Sequence, residues 1–498
     1  MDYLGNINRR FGRGDAISSD LSFGSQWINT LNAAVSGFGQ GLLTNSSDLI
    51  SGATTTTAGE AYGQTKSLGF IGQEQLGFDN RLFVQVGARL DRNSAFGSKV
   101  GSFFLPKAGV SYVLSQERFW QRFSELIPTF RLRAAYGTTG RSPSGSAALQ
   151  TYSRANYVTD AGIVQPGVAP GNPGNPDLRP ERGTEFEAGF DAGFLRDRVG
   201  LELTYFNKTS TNVLLTQPIA VSSGFASGPL VNVGEVVNRG LEISLRTTAI
   251  DRKNIGLDVG LNLNTLANKI VSMGNIAPFV TTNNQCFKPG IEIAAWCVPR
   301  VLSVDTIAHR STVSDTAQLA GGQLPKFAGS VNGTLTLFKN LRVYAQLDGK
   351  FDYFLWNATR DFRDRTVSPP NSASVNLPSD QGGYSAYERQ RRLGPFYAQS
   401  SGASVGAALV RGPYIVPGDF VRVRELAVTW SLPARLSQTL HLESSAISVG
   451  GRNLALWTRY DGWDPEVIGV IDVTTPFLGD VFTTPQSRRL FARLTLQY

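Results

Sequence analysis

Residues 185–206 read Glu185-Phe186-Glu187-Ala188-Gly189-Phe190-Asp191-Ala192-Gly193-Phe194-Leu195-Arg196-Asp197-Arg198-Val199-Gly200-Leu201-Glu202-Leu203-Thr204-Tyr205-Phe206. From Glu185 to Phe194 every even position is Phe or Ala, and every odd one is Glu, Asp or Gly. A β-strand sends successive side chains to opposite faces, so this period makes one apolar face and one polar face. After Leu195-Arg196-Asp197 the period resumes, with Val199, Leu201, Leu203 and Tyr205 set against Glu202 and Thr204. Two alternating runs across so short a turn predict an antiparallel hairpin over 184–194 and 198–209.

The period recurs along the chain. Leu82, Val84, Val86, Ala88 and Leu90 alternate with Gln85, Arg89 and Asp91. Leu241, Ile243 and Leu245 alternate with Glu242, Ser244 and Arg246, and Ile255 to Leu263 alternates with Asp258, Asn262 and Asn264. Runs of about ten residues match a tilted strand crossing a bilayer. Two runs slip parity: Val421 and Val423 against Leu426, Val428 and Trp430, and Ile447 and Val449 against Leu454 and Leu456. The first slip predicts a β-bulge near Arg424-Glu425.

The connections alternate in length. Strands at 66–78 and 81–93 meet at Asp79-Asn80, 239–249 and 255–266 at 250–254, and 327–338 and 341–356 at Lys339-Asn340. Between hairpins lie Gly-, Pro-, Ser- and Asn-rich stretches at 139–183, 210–238, 267–326, 357–418 and 458–487. Such lengths count against a compact soluble domain, yet all fall on one end of the strand array. The expected fold is therefore all-β: an antiparallel transmembrane β-barrel portion of about fourteen strands, with short periplasmic turns and long extracellular loops. Residues 1–65 are expected to hold a first strand near 16–30 and an extracellular loop, residues 66–498 the remaining barrel, with no plug segment.

Aromatic residues gather where strands meet connections. Tyr353, Trp356, Trp457, Tyr460 and Trp463 are expected in a belt on the long-loop side, and Phe78, Phe194, Phe338, Trp430 and Tyr498 on the short-turn side. Residues 115–128 carry Phe119, Trp120, Phe123, Leu126 and Ile127 at helical spacing before Pro128. They predict a short amphipathic helix that either rests at the membrane interface or packs on the barrel rim.

Composition closes other routes. At 17% charged and 41% hydrophobic residues the chain is too apolar for intrinsic disorder. No apolar run is long enough for a transmembrane helix, and the start at Met1-Asp2-Tyr3-Leu4-Gly5 has no secretory-signal pattern. The 47 Lys and Arg against 39 Asp and Glu give a net charge of +8 spread along the sequence, which argues against a nucleic-acid partner. Arg389, Arg391 and Arg392 read as a solvated loop, and Arg13-Gly14-Asp15 as a turn. Gly402-Ala403-Ser404-Val405-Gly406 has nucleophile-elbow spacing. It lies in a polar loop, however, and His441, on the opposite side of the expected membrane, cannot serve Ser404; His309 is the other histidine. No phosphate loop, dinucleotide fingerprint or metal-ligand spacing occurs, so neither an enzyme nor a cofactor or metal site is expected. Cys286 and Cys297, within one long loop, are expected to pair as a disulfide in an oxidising compartment; two free buried thiols are the alternative.

Several ordered motifs resemble SusC/RagA-type TonB-dependent receptors. They are Asn175-Pro176-Asp177-Leu178-Arg179-Pro180-Glu181, Asn232-Val233-Gly234-Glu235-Val236-Val237-Asn238-Arg239-Gly240-Leu241-Glu242, Asp419-Phe420-Val421-Arg422-Val423-Arg424-Glu425-Leu426, Gly451-Arg452-Asn453-Leu454-Ala455-Leu456-Trp457-Thr458 and Tyr460-Asp461-Gly462-Trp463-Asp464-Pro465-Glu466. The resemblance implies part of a 22-stranded outer-membrane barrel that imports oligosaccharides, peptides or similar bulky solutes. It also implies a SusD-like surface lipoprotein capping the loops and a TonB complex acting through a plug, a segment not recognised in this sequence. On this reading the chain is the C-terminal barrel portion of a longer receptor. A passive porin and a secreted, non-transporting β protein or adhesin are the alternatives. Leu490, Leu494, Leu496 and Tyr498 mark the closing strand, whose terminal aromatic resembles the signal read by the barrel-assembly machinery, with outer-membrane lipid on its apolar face. Its expected neighbours are 445–457 and the first barrel strand. The ligand-binding residues are left open by the sequence.

Overall fold

The computed structural model describes residues 1–42, 49–217, 219–225, 227–281, 284–305, 310–365, 412–439, 441–467, 469 and 479–498. Among the described residues sixteen strands take part in antiparallel ladders of the main sheet, against the expected fourteen or so. The chain divides into two compact units, Met1–Val110 with Ala135–Thr184 and Ser210–Val233, and Ser111–Ala134 with Glu185–Thr209 and Gly234–Tyr498.

In the first unit β1 (Asp2–Phe11), β2 (Ile17–Leu42), β3 (Ala53–Phe78) and β4 (Leu82–Asn93) form a meander, each paired with the next. β1 was not legible: Asp2–Phe11 lacks alternation, and residues 1–65 hold two strands and the start of a third rather than one strand and a loop. Arg13-Gly14-Asp15 is part of the turn between β1 and β2, with Gly14 and Asp15 at positive φ. Asp79 and Asn80 both take positive φ, the backbone a tight hairpin needs to match strand twist. The first part of β5 (Phe103–Val113) completes this unit together with segments of β6 (Thr129–Arg141), β7 (Glu181–Phe194), β8 (Val199–Thr216) and β9 (Leu230–Arg252). The connection after β6 contains a small hairpin of Tyr152–Val158 and Val164–Pro170.

The second unit takes the other segments of β5 to β9 and adds β10 (Ile255–Thr265), β11 (Ala267–Ser272), β12 (Phe327–Leu337), β13 (Leu341–Phe351), β14 (Phe420–Ser431), β15 (Ser444–Thr458) and β16 (Arg489–Gln497). The order is β7, β8, β9, β10, β12, β13, β14, β15, β16, with β11 on β9. The hairpin expected at 184–209 is present, its turn residues Leu195, Arg196 and Asp197 all at positive φ, with β8 continuing to Thr216 into the expected connection. The expected bulge is present: the β14–β15 register jumps between Val423 and Glu425, opposite Asn453, which is itself at positive φ.

Three details differ from expectation. Residues 115–128 form short 3₁₀ turns, Leu114–Gln116 and Arg118–Phe123, rather than an α-helix; the amides of Trp120 and Ser124 bond the carbonyls three residues back, at Glu117 and Gln121. The strand from 341 stops at Phe351, because Phe354–Asn357 pairs instead with Ile415–Pro417 and Gly479–Asp480. Tyr353, Trp356 and Tyr460 are buried rather than facing a membrane. Trp356 packs with Trp296, Tyr414 and Ile415 and donates to Asp361, while the Tyr460 hydroxyl donates to Asp480. On the long-loop side Trp457 and Trp463 stay exposed, as Phe338, Trp430 and Tyr498 do on the short-turn side.

Candidate functional site

Alternation fixes which side chains share the polar face. In the second unit Arg133 of β6, Glu187 of β7, Glu202 and Thr204 of β8, Glu242 of β9 and Asn262 of β10 line one cavity of about 520 Å³, continued along Ser330, Asp348 and Lys350. Thr204 is buried there, its hydroxyl accepting from the Arg133 guanidinium at 2.6 Å. Arg131 and Arg133 both reach Asp191, Arg131 Nε at 2.7 Å and Arg133 Nε at 3.2 Å. Arg246 pairs with Glu202 at 2.9 Å, and Asn264 donates to Glu242 at 3.4 Å. Charge of both signs and amide groups on a face opposite an apolar one suit a wet passage for polar solutes, not a hydrocarbon contact.

The motifs quoted above build latches on the same unit's strand ends. Arg422 and Asp464 are both 3% exposed and meet at 2.5 Å; Arg422 Nε also lies 2.8 Å from the Glu466 carboxylate. Arg424 Nε donates to Asp348 at 2.7 Å and its Nη2 to Glu466 at 2.8 Å. The Asp464-to-Glu466 segment is thereby clamped onto β14. A removed partner would leave a charge in a desolvated place, which is far costlier than losing an exposed pair. Burial and the Glu466, Asp419 and Asp464 carboxylates together push the neighbouring Tyr353 phenol up, and burial with Asp480 does the same to Tyr460. Both phenols stay protonated donors in physiological conditions.

A second latch belongs to the first unit. Asn232 takes the Arg179 amide on its side-chain oxygen at 2.8 Å and donates to the Arg179 and Asn212 carbonyls at 2.8 and 2.9 Å. Asn175 donates to the Leu230 carbonyl at 3.0 Å, Leu178 is wholly buried, and Glu181 accepts from the Leu214 amide at 2.8 Å. In the second unit Gly234 is required by crowding, since a Cβ there would lie 1.7 Å from the Ser272 carbonyl oxygen.

Cys286 and Cys297 are disulfide-bonded with Cα atoms 5.4 Å apart, tying Gln285–Phe287 to Ala295–Asp305 in a four-stranded sheet that also includes Phe279–Val280 and Arg310–Gly321. In the same loop region burial raises the Glu292 carboxyl, opposed by the Leu324 and Gln323 amides. Leu490, Leu494 and Leu496 lie on β16, paired with Gly451, Ile447 and Ser445 of β15, and Tyr498 follows it. β15 is the one ladder partner of β16 among the described residues; the second neighbour expected from the sequence is not seen there. Ser404 and its flanking glycines, Arg389, Arg391, Arg392 and His309 lie outside the described residues. Among the described residues no cluster of His, Cys, Asp or Glu is arranged to hold a metal.

The sequence exposed Glu187, Glu202, Glu242 and Asn262 as polar-face residues. It did not expose the roles of Arg133, Asp348 or the Arg422–Asp464 pair, whose partners are distant in sequence; the signal available was that two motifs carry complementary charges.

A long antiparallel sheet with one apolar face, one charged face, tight turns and elaborate loops is the wall of an outer-membrane β-barrel. The chain matches the model for TonB dependent receptor-like β-barrels over residues 2–454 and belongs to that family, whose members are receptors of the bacterial outer membrane rather than enzymes. It is 23% identical over 447 residues to TonB-dependent receptor P26 of Formosa agariphila, a match covering 80% of this chain and 42% of that protein. It is 26% identical over 212 residues to the TonB-dependent receptor SusC of Bacteroides thetaiotaomicron, covering 41% of this chain and 21% of that protein. The fold superposes on the RagAB peptide transporter with a TM-score of 0.77 at 17% identity, covering 99% of this chain and 55% of that one. The chain thus spans about half, or less, of the length of these relatives.

Proposed function

We propose that this chain forms the barrel wall of a SusC/RagA-type nutrient receptor that imports oligosaccharides, peptides or similar bulky solutes, and that it has no enzymatic activity. The observation that carries the reading is the polar cavity on the inward strand faces, bounded by Arg133, Glu187, Glu242 and Lys350 in a chain of this family. A SusD-like lipoprotein would cap the external loops, and a TonB complex would drive entry through a plug filling the lumen. The test is uptake of labelled glycans and peptides by cells with and without the gene, in the presence and absence of a proton uncoupler. Gene- and uncoupler-dependent uptake is expected. Gene-dependent passage that ignores the uncoupler would identify a porin instead, and no gene-dependent uptake across both classes would reject the proposed substrates.

We also propose that the Cys286–Cys297 disulfide restrains an extracellular loop, and that Leu490, Leu494, Leu496 and Tyr498 serve as the closing-strand assembly signal. The pairing of the four β16-end residues with outer-membrane lipid on one side and the assembly machinery during insertion rests on their alternation and position. For the disulfide, alkylation of intact cells without reductant should leave both cysteines unlabelled; labelling of both would refute it.

A further inference from the structure

The connection between β5 and β6 differs from its neighbours. Turns such as Asp79-Asn80 and Lys253-Asn254 are minimal and polar, whereas 114–128 holds Phe119, Phe123 and Leu126 at 56%, 40% and 57% exposure. The strand parity decides where this apolar plate lies. Arg131 and Arg133 point to the polar face with Asp191 and Thr204, so Phe130, the residue before Arg131, points to the lipid face. Phe190 does the same on β7. The Trp120 ring stacks on Phe130 with centroids 4.8 Å apart, and Phe130 on Phe190 at 5.8 Å; Trp120 Nε1 donates to the Ile127 carbonyl at 2.9 Å. The aromatic ladder therefore pins the inner side of the 3₁₀ turn onto the lipid-facing surface and leaves Phe119, Phe123 and Leu126 as its outward continuation. The Leu195 amide donates to the Leu126 carbonyl at 3.0 Å, which joins the exposed Leu195 to the same patch. Arg118 and Arg122 are exposed beside it, Arg122 lying 4.6 Å from the Phe123 ring centre.

We propose that this turn is a membrane foot: Phe119, Phe123 and Leu126 insert among the phospholipids of the periplasmic leaflet, with Arg118 and Arg122 on the lipid phosphates. The occupant is lipid because the patch is continuous with the lipid-facing surface of β6 and β7, and because aromatic and basic side chains together suit the headgroup–acyl boundary, where such segments sink about 5–10 Å. A foot of this kind fixes the depth of the sheet in the bilayer.

The test uses the full chain in phosphatidylethanolamine–phosphatidylglycerol vesicles, with a fluorophore on Gln121→Cys; the native cysteines are disulfide-bonded and do not label. Emission should be lost with lipids carrying a nitroxide high on the acyl chain and retained with aqueous iodide. The variant that also carries Phe119→Ser, Phe123→Ser and Leu126→Ser should reverse this, while heat-modifiable migration in SDS shows that its barrel has formed. If that variant fails to assemble, the quenching of the Gln121→Cys protein decides alone. Iodide quenching without nitroxide quenching in the Gln121→Cys protein would overturn the proposal. So would protection seen only in native outer membranes, because a protein partner would then be the occupant.

Discussion

Single positions carry opposite obligations on the two faces. Leu203 lies on the lipid-facing parity of β8 and Asn262 on the cavity wall of β10. Leu203→Arg is expected to cost about 2–4 kcal/mol, the penalty for a charge on a barrel's lipid face near mid-membrane, whereas Asn262→Arg should cost little. Urea unfolding in vesicles measures both; equal losses would show that the two faces do not differ, and a larger loss for Asn262→Arg that the assignment is inverted. Thr204 is a poor choice for the polar-face control, although its parity predicts tolerance, because its buried hydroxyl already accepts from Arg133. Glu292 gives a pH dependence. Its folded pKa stands above the ordinary 4.5, so the folded state binds the proton more tightly than the unfolded chain. Local stability is therefore greatest in acid and falls as pH rises through the window starting at about 4.5. Glu292→Gln retains an acceptor for the Leu324 amide and should abolish this slope. Hydrogen exchange of residues 322–326, corrected for the intrinsic rate, reads the effect; an unchanged slope in the variant would assign it to another group.

At the scale of elements, the Arg422–Asp464 pair holds a loop segment to a strand. Arg422→Met should destabilise by about 3–5 kcal/mol, as removal of one partner of a buried pair does, and Arg422→Met with Asp464→Leu should recover much of that. Protease sensitivity between residues 459 and 467 is the local measurement, and a single variant as resistant as the wild type would show that the clamp is not needed. The elements legible in the sequence were those that alternate between lipid and a polar lumen. β7 and β10 were read almost to their bounds, β8 was read from its start but runs on to Thr216 past the expected 209, and even the bulge showed as a parity slip at Arg424. What escaped were strands free of that partition. β2 and β3 are each 26 residues long, far beyond the 9–11 that cross a bilayer, and their Gly-, Ser- and Thr-rich stretches past Thr30 and before Lys66 need no apolar face. Trp356 and Tyr460 were misplaced for a related reason: an aromatic beside a strand end looks the same in sequence whether lipid or a loop core covers it. The cavity's charge pairs were half legible, because parity supplies the face and only the fold supplies the partner.

For the whole molecule the decisive physics is that a strand in lipid has no water to satisfy its backbone. β16 covers β15 from Ser444 to Arg452 through the pairs Ser444↔Gln497 to Arg452↔Arg489. Without β16 the amides and carbonyls on that side of β15 would face hydrocarbon, at several kcal/mol for each unsatisfied group, and the total would exceed the roughly 5–15 kcal/mol by which folded proteins are stable. Deleting Leu490 to Tyr498 is therefore expected to abolish assembly into the outer membrane and to leave aggregated or degraded protein. Tyr498→Ala alone keeps the ladder and removes the terminal aromatic, so it separates the strand's structural task from the proposed signal. Slow insertion of a normally stable protein would assign Tyr498 to recognition by the assembly machinery. Normal outer-membrane levels of the nine-residue deletion, measured by fractionation and heat-modifiable migration, would show that β15 can end the wall unaided and that the closing strand is dispensable.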